Sequence, residues 1–379
     1  MNRSLIACPH FHECSGCLLS LHVDRPPVIE EVQNYFLARE YTALEVVAGA
    51  ANGWRCRAKL AVRGTAQNPL VGLFKERSHE ALDIPHCQVH HPKINIAADI
   101  LRAFIRTHQI EPYNEHTGDG ELRYVQFVVQ RSTGLVQASL VLNTRTIDET
   151  AIGRWRELGD TSSNLWHSIW INANPSRDNV IFGQEWQLIM GEEWLWEKVG
   201  DVQIAFMPAS FAQANLDLFD QILQQIQTLV PDNSRVVEFY CGAGTIGLNL
   251  LSNGVQLNCC ELNPTSEACF HRSIEKLPAS LQEQVTFRTA SANQCMDWIP
   301  NADVVIVDPP RKGIDPALLK VLIKPQSTLK QLIYVSCGWR AFQSDCDALL
   351  EAGWQIASAT LYVLFPGTNQ IELLISFQR

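Results

Sequence analysis

Cys8, Cys14 and Cys17 form a Cys-x5-Cys-x2-Cys run, and Pro85-His86-Cys87 brings a fourth thiol later in the chain. Two thiolates two residues apart can wrap one metal centre, and Gly16 lets the backbone turn between them. Zinc and a [4Fe–4S] cluster both accept four Cys, and the spacing favours neither; His10 and His12 keep a mixed zinc site open. Three thiols this close together rarely arise for packing alone.

A second set lies in the carboxyl-terminal half. Val236-Val237-Glu238-Phe239-Tyr240-Cys241-Gly242-Ala243-Gly244-Thr245-Ile246-Gly247 reads as a strand, a glycine-rich turn and the start of a helix. Glycine is required where a backbone turns sharply against a ligand, because a Cβ there would clash. Gly242, Gly244 and Gly247 also spell the dinucleotide fingerprint, so the segment suits a nicotinamide or a sulfonium nucleoside equally. The next strand ends in Glu261, placed to accept both hydroxyls of a ribose. What separates the two readings is Asp308-Pro309-Pro310-Arg311-Lys312-Gly313, where two prolines make a rigid, non-helical lip at a strand end. Nicotinamide enzymes have no evident use for such a lip, whereas base-modifying methyltransferases do.

Cys337 ends the apolar strand Gln331–Val335 and so lies at the edge where open α/β sheets bind ligands. A thiolate there could attack a substrate. Glu372 stands inside the apolar run Ile371–Phe377, where a buried charge is costly unless used or paired, which makes it the best general-base candidate.

These residues need elements to hold them. Apolar periodicity predicts helices near Val28–Arg39 and Ile94–His108, with strands at Arg57–Arg63, Leu70–Phe74, Arg123–Gln130, Val136–Leu142, Ser168–Asn172 and Val180–Phe182. Beyond about residue 205, short strands alternate with helices, a pattern that predicts a parallel sheet covered on both faces. The 379 residues suffice for two or three domains, and 46% apolar against 18% charged residues is the composition of a chain that packs. No apolar stretch approaches a membrane span and no secretory signal opens the chain, so a cytoplasmic, soluble protein is expected, in which the 12 Cys are ligands, nucleophiles or core residues rather than disulfides. At a net charge of −10, a nucleic acid could be held only by a local patch.

Phe211-Ala212-Gln213-Ala214-Asn215, Phe239–Thr245, Asp308–Gly313, Val335-Ser336-Cys337 and Phe365–Glu372 together resemble, in order and spacing, the RNA uracil-C5-methyltransferase family. Members of that family make 5-methyluridine in ribosomal and transfer RNA. The resemblance covers nearly the whole chain, and is greatest to the bacterial 23S rRNA members that carry an iron–sulfur cluster.

The resemblance implies an α/β fold, with a C-terminal Rossmann-like class I methyltransferase sheet and an N-terminal α+β domain bearing a four-Cys cluster. It implies a cluster-binding region over 1–90, a central α+β RNA-binding domain over 91–204 and a methyltransferase domain over 205–379. Gln213, Tyr240, Gly242, Gly244, Glu261 and Asp308 are then the S-adenosylmethionine contacts, Cys337 the nucleophile and Glu372 the base. Cys8, Cys14, Cys17 and Cys87 become ligands of a [4Fe–4S] cluster that supports the RNA-binding surface rather than redox turnover. The Cys337 thiolate would add to C6 of a uracil lifted from its stack, C5 would take the methyl, and Glu372 would remove the C5 proton. Structured RNA is the expected partner, 23S rRNA ahead of tRNA, with the protein a monomer and no membrane involved.

The sequence departs from the family pattern at Gly338-Trp339, Val363 and Gln370. Larger members begin with a small β-barrel RNA-binding domain, which is not expected here. Arg55, Arg57, Lys59 and Arg63 alternate onto one strand face suited to phosphates, and Trp54 is placed to stack a base. Two other readings compete: a non-catalytic RNA-binding relative, suggested by the three departures, and a nicotinamide oxidoreductase, suggested by the glycine spacing.

Overall fold

A computed structural model describes residues 5–178, 180–325 and 328–379. The chain divides into two compact units, neither continuous in sequence. The first takes residues up to Val23, Ala50–Glu197 and Met207–Asn215; the second takes Asp24–Gly49, Lys198–Phe206 and Leu216–Arg379.

The first unit is built on a seven-stranded sheet in the order Ala81–Asp83, Pro69–Phe74, Arg57–Gly64, Leu122–Val129, Val136–Leu142, Trp166–Ala173, Glu185–Gly191. Neighbours are antiparallel except Val136–Leu142 with Trp166–Ala173. That parallel pair needs a crossover, and the helix Glu149–Asp160 supplies it. Its start is capped by Asp148, whose carboxylate accepts the Ala151 N–H at 2.8 Å. The helix Pro92–His108 lies on the same face, its Phe104 ring 5.5 Å from that of Trp155. Val180–Phe182 is not a strand. The Asn174 side chain donates to the carbonyls of Val180 and Ile181, at 2.7 and 3.0 Å, so those acceptors are spent locally, and the strand begins at Glu185.

The second unit has an eight-stranded sheet in the order Glu45–Ala48, Gln355–Val363, Glu372–Gln378, Gln331–Ser336, Val304–Val307, Arg235–Phe239, Gln256–Glu261, Val285–Thr289. All pairs are parallel except those of Glu372–Gln378, which is antiparallel to both neighbours, so the sheet is mixed rather than parallel throughout. The cause is connection length. The turn between Val363 and Glu372 is too short for the dozen or so residues of a parallel crossover, so the chain must fold back as a hairpin.

The helix Val28–Leu37 belongs to this core. Its Val28, Ile29, Val32, Tyr35 and Phe36 share one face and are buried. Tyr35 Oη donates to Asp347 Oδ1 at 2.6 Å, and Arg39 Nε donates to the same oxygen at 2.9 Å, tying the helix to Trp339–Glu351. Residues 24–49 thus fold with the carboxyl-terminal sequence, because their apolar face finds its partners there. The helix Leu216–Leu229 buries Leu218, Phe219, Ile222, Leu223 and Ile226 by the same spacing. No described helix is long and apolar enough to cross a membrane.

Phe36 is fully buried, with ring neighbours Tyr35, Tyr41 and Phe342 at 5.5, 5.7 and 6.4 Å. Phe36→Ala should cost the second unit about 3–5 kcal/mol, read as an earlier denaturant transition. An unchanged transition would show that residues 24–49 are not part of this core.

Candidate active site

The strand order of the second unit reverses between Val304–Val307 and Arg235–Phe239, since successive strands run outward from there in opposite directions. Ligands of open α/β sheets bind beyond the carboxyl ends of strands at such a point. Tyr240, Gly242 and Gly244 follow the first of these strands in sequence, Glu261 ends the second, Asp308 follows Val307, and Cys337 follows Ser336. Glu372 arrives by the antiparallel route. Ser336 pairs with Leu373, so one step further along both strands brings Cys337 opposite Glu372. The sheet therefore gathers at one edge seven of the residues singled out from the sequence.

The glycine turn is held in an unusual backbone state. Tyr240, Gly242 and Gly244 have φ of +62°, +55° and +82°. A Cβ on Gly244 would approach the Phe270 ring to 2.5 Å, so glycine is obligatory there on two counts. Tyr240 sustains a positive φ at a cost in strain, and its hydroxyl accepts the Asp315 N–H at 3.1 Å. Glu261 Oε2 accepts the Gly242 N–H at 3.2 Å, while Oε1 accepts those of Leu262 and Asn263 at 2.8 and 2.9 Å. The carboxylate is thus oriented before any ligand arrives.

Two carboxyls escaped the sequence reading. Glu238 is 1% exposed beneath the turn, and its Oε2 accepts the Gly247 N–H at 2.9 Å. Burial pushes its pKa up to about 8. Its signal was present all along, an acid inside the apolar run Val236–Phe239, the same signature that marks Glu372. Asp345 receives Tyr334 Oη at 2.8 Å and the Ile314 N–H at 2.9 Å, so the helix Trp339–Glu351 grips the end of the Asp308–Gly313 loop. Nothing local marks Asp345, whose partners are Tyr334 on the preceding strand and Ile314 in the loop after Gly313.

Electrostatics at the edge is set first by burial and then by the crowding of acids. Burial, then the neighbouring Glu261, pushes Asp308 up to about 7. Burial and Asp308 push Glu372 well above the usual carboxylate range, with Arg311 opposing. The Cys337 thiol is pushed up to about 11 by burial, Glu372 and Asp308, again against Arg311. Gly338 caps the helix Trp339–Glu351, so the thiol also sits at a helix amino terminus, whose partial positive charge favours a thiolate.

The departures from the family pattern receive local explanations. A Cβ on Gly338 would come within 2.5 Å of the Arg311 carbonyl oxygen, so the Asp308–Gly313 loop leaves room only for glycine after Cys337. Val363 is fully buried in the core, and Gln370 is exposed beyond the Phe365–Thr368 turn. None of the three disturbs Cys337 or Glu372.

Gln213 belongs to the first unit, on the Met207–Asn215 segment. Cys8, Cys14, Cys17 and Cys87 also lie there and line one cavity of about 170 Å³, together with Arg55 and His90. All four are free thiols. Burial, then Cys87, Cys14 and Cys8, pushes Cys17 up to about 12. Among the described residues, no group of three or more His, Cys, Asp or Glu is drawn close enough to hold a metal ion. The donor chemistry, four thiols lining one cavity, suits a four-thiolate centre.

The expected phosphate-binding strand is largely committed to structure. Trp54 is buried, and so is Arg63, which donates to the Val62 and Arg123 carbonyls and pairs with Glu115 among the rings of Phe74, Tyr113 and Tyr124. Arg57 donates to the Ser210 and Pro208 carbonyls. Only Lys59 of the strand's cations is exposed, its Nζ 4.6 Å from the Phe182 ring centroid. Alternation gave the correct face, but burial decided what the cations do there.

The family model described as tRNA (Uracil-5-)-methyltransferase matches residues 28–379. An uncharacterized RNA methyltransferase of Protochlamydia amoebophila is 44% identical over 384 residues, covering 100% of this chain and 99% of the relative. An RNA methyltransferase of Halalkalibacterium halodurans is 30% identical, over 96% of this chain and 81% of its own length. The crystal structure of Pyrococcus abyssi tRNA (uracil-54, C5)-methyltransferase with S-adenosyl-L-homocysteine shares the fold, with a TM-score of 0.78 and 24% identity over 96% of this chain and 86% of that one. Since the family model takes in the whole second unit beyond residue 28 and a 44% identical relative aligns from end to end, the chain belongs to the tRNA (uracil-5-)-methyltransferase family.

Proposed function

We propose that the chain transfers a methyl group from S-adenosylmethionine to C5 of a uridine in structured RNA, through a covalent bond between Cys337 and C6 of the base. The observation that carries this reading is the antiparallel register that sets Glu372 opposite Cys337 at the switch-point edge. When bound, S-adenosylmethionine supplies an electrophilic methyl on a cationic sulfonium. Tyr240, Gly242, Gly244, Glu261 and Asp308 would hold it, with Gln213. The residues fit a cation: the Asp308 and Glu372 carboxyls are raised by burial and by facing like charges, and a positive ligand lowers them again.

C5 of uracil is a poor nucleophile. The Cys337 thiolate adds to C6, forming an S–C6 bond and moving the C5–C6 electron pair onto C5 and the O4 enolate, so that C5 can displace the methyl from the sulfonium, the broken S–CH3 pair staying on sulfur as S-adenosylhomocysteine. Glu372, ionised beside the cation, then takes the C5 proton. The C5–C6 double bond reforms, the S–C6 bond breaks, and the thiolate leaves. Arg311 and the helix amino terminus support the thiolate at each end of the cycle.

The family description and the name of the P. abyssi enzyme favour transfer RNA as the substrate class, whereas the motif resemblance implies 23S rRNA. Mapping 5-methyluridine in both RNAs from cells with and without the protein separates the two. The four amino-terminal thiols we read as ligands of a [4Fe–4S] centre. Their spread around one cavity supports it, since a cluster binds each thiolate through a different iron.

Four outcomes are expected. RNA carrying 5-fluorouridine should form a denaturant-stable adduct with the wild-type chain and none with Cys337→Ala; Glu372→Gln should slow turnover about 10²–10⁴-fold and accumulate the methylated adduct on ordinary RNA. An adduct in the alanine variant would end the nucleophile assignment. Adduct formation in single turnover should rise about tenfold per pH unit between pH 6.5 and 8.5, because a thiol with pKa about 11 ionises by that factor per unit; a flat profile contradicts attack by this thiolate. Anaerobically reconstituted protein should carry roughly four irons and four acid-labile sulfides per chain, lost in Cys17→Ala; a single zinc would overturn the cluster.

A further inference from the structure

Residues Met207–Asn215 are flanked on both sides by sequence of the second unit, yet they fold onto the sheet of the first. The segment forms no helix or strand of its own. In one internal turn Ser210 N–H and Oγ donate to the Met207 carbonyl, and the sheet beneath holds the segment further.

That hold is polar and specific. Arg57 Nη1 donates to the Ser210 carbonyl at 2.8 Å, and its Nη2 to the Pro208 carbonyl at 3.4 Å. Gln126, 1% exposed on the neighbouring strand, donates Nε2 to the same Pro208 carbonyl at 2.9 Å. Cys56 completes the row, its N–H reaching the Ala214 carbonyl at 2.9 Å. Between these anchors the chain bows outward, and Phe211 is 70% exposed. The carbonyls of Pro208, Ser210 and Ala214 therefore bracket Gln213.

We propose that Arg57 and Gln126 are positioning residues: together they clamp the Met207–Asn215 segment and so fix Gln213 for binding the methyl donor. This rests on Gln213 as a donor contact. A half-buried guanidinium and a buried amide converging on the carbonyls of Pro208 and Ser210 restrict the segment to one path, so the ordering entropy is met on folding rather than on binding. The basic strand thereby serves the donor site rather than an RNA phosphate at Arg57.

The test uses the full chain and S-adenosylhomocysteine as the probe, with affinity read by calorimetry. Gln126→Leu and the milder Arg57→Lys should each weaken binding by up to about tenfold, with the folded circular dichroism retained. Chymotryptic cleavage after Phe211 should accelerate by a similar factor. In a Gln213→Ala background, Gln126→Leu should change affinity less than about twofold, because the clamp acts through Gln213. Wild-type affinity in both single variants, or the full loss persisting in the Gln213→Ala background, would overturn the proposal. If the wild-type chain binds no probe, the donor reading fails by itself. Cleavage then decides the clamp: faster cleavage upholds it, and unchanged cleavage removes it.

Discussion

Glu372 reaches the reactive edge only because its strand runs against the rest of the sheet. A carboxyl at the start of a parallel strand would sit at the opposite end, away from the Cys337 thiol. The hairpin imposed by the short turn after Val363 reverses that geometry and pairs Ser336 with Leu373. The candidate site depends on this inversion, since it brings the Glu372 carboxyl, at the start of one strand, beside Cys337, the residue that follows the antiparallel neighbour.

The arrangement stores electrostatic cost. Burial raises Asp308, Glu372 and Cys337 alike; Glu261 adds to it at Asp308, Asp308 at Glu372, and both Glu372 and Asp308 at Cys337, while Arg311 opposes the rise at Glu372 and Cys337. Rigid surroundings keep such groups together. Asp345 holds the loop that carries Arg311, and Gly338 lets that loop pack against the backbone after Cys337. Below the glycine turn, Glu238 braces the start of the following helix.

Much of the site was legible in local sequence. Each strand end carried its own mark: glycines where φ is positive, an acid breaking an apolar run, prolines stiffening a lip. Strand and helix positions followed from periodicity, since each buried face repeats at the spacing of its element. Misreadings arose where a local pattern was answered by a distant partner. Val180–Phe182 looks like a strand but yields its carbonyls to Asn174, and Arg63 looks like a phosphate ligand but is consumed by Glu115 and three aromatic rings.

The sequence by itself determined the identity and order of the reactive groups and the kind of element bearing each, because these depend on residue type and short-range spacing. Only the tertiary structure decided that residues 24–49 complete the carboxyl-terminal core, that the last strand is antiparallel, and that Arg57 and Gln126 serve one segment's carbonyls. Those outcomes turn on which buried surfaces and unpaired backbone groups meet across long stretches of chain, and a one-dimensional pattern does not carry that information.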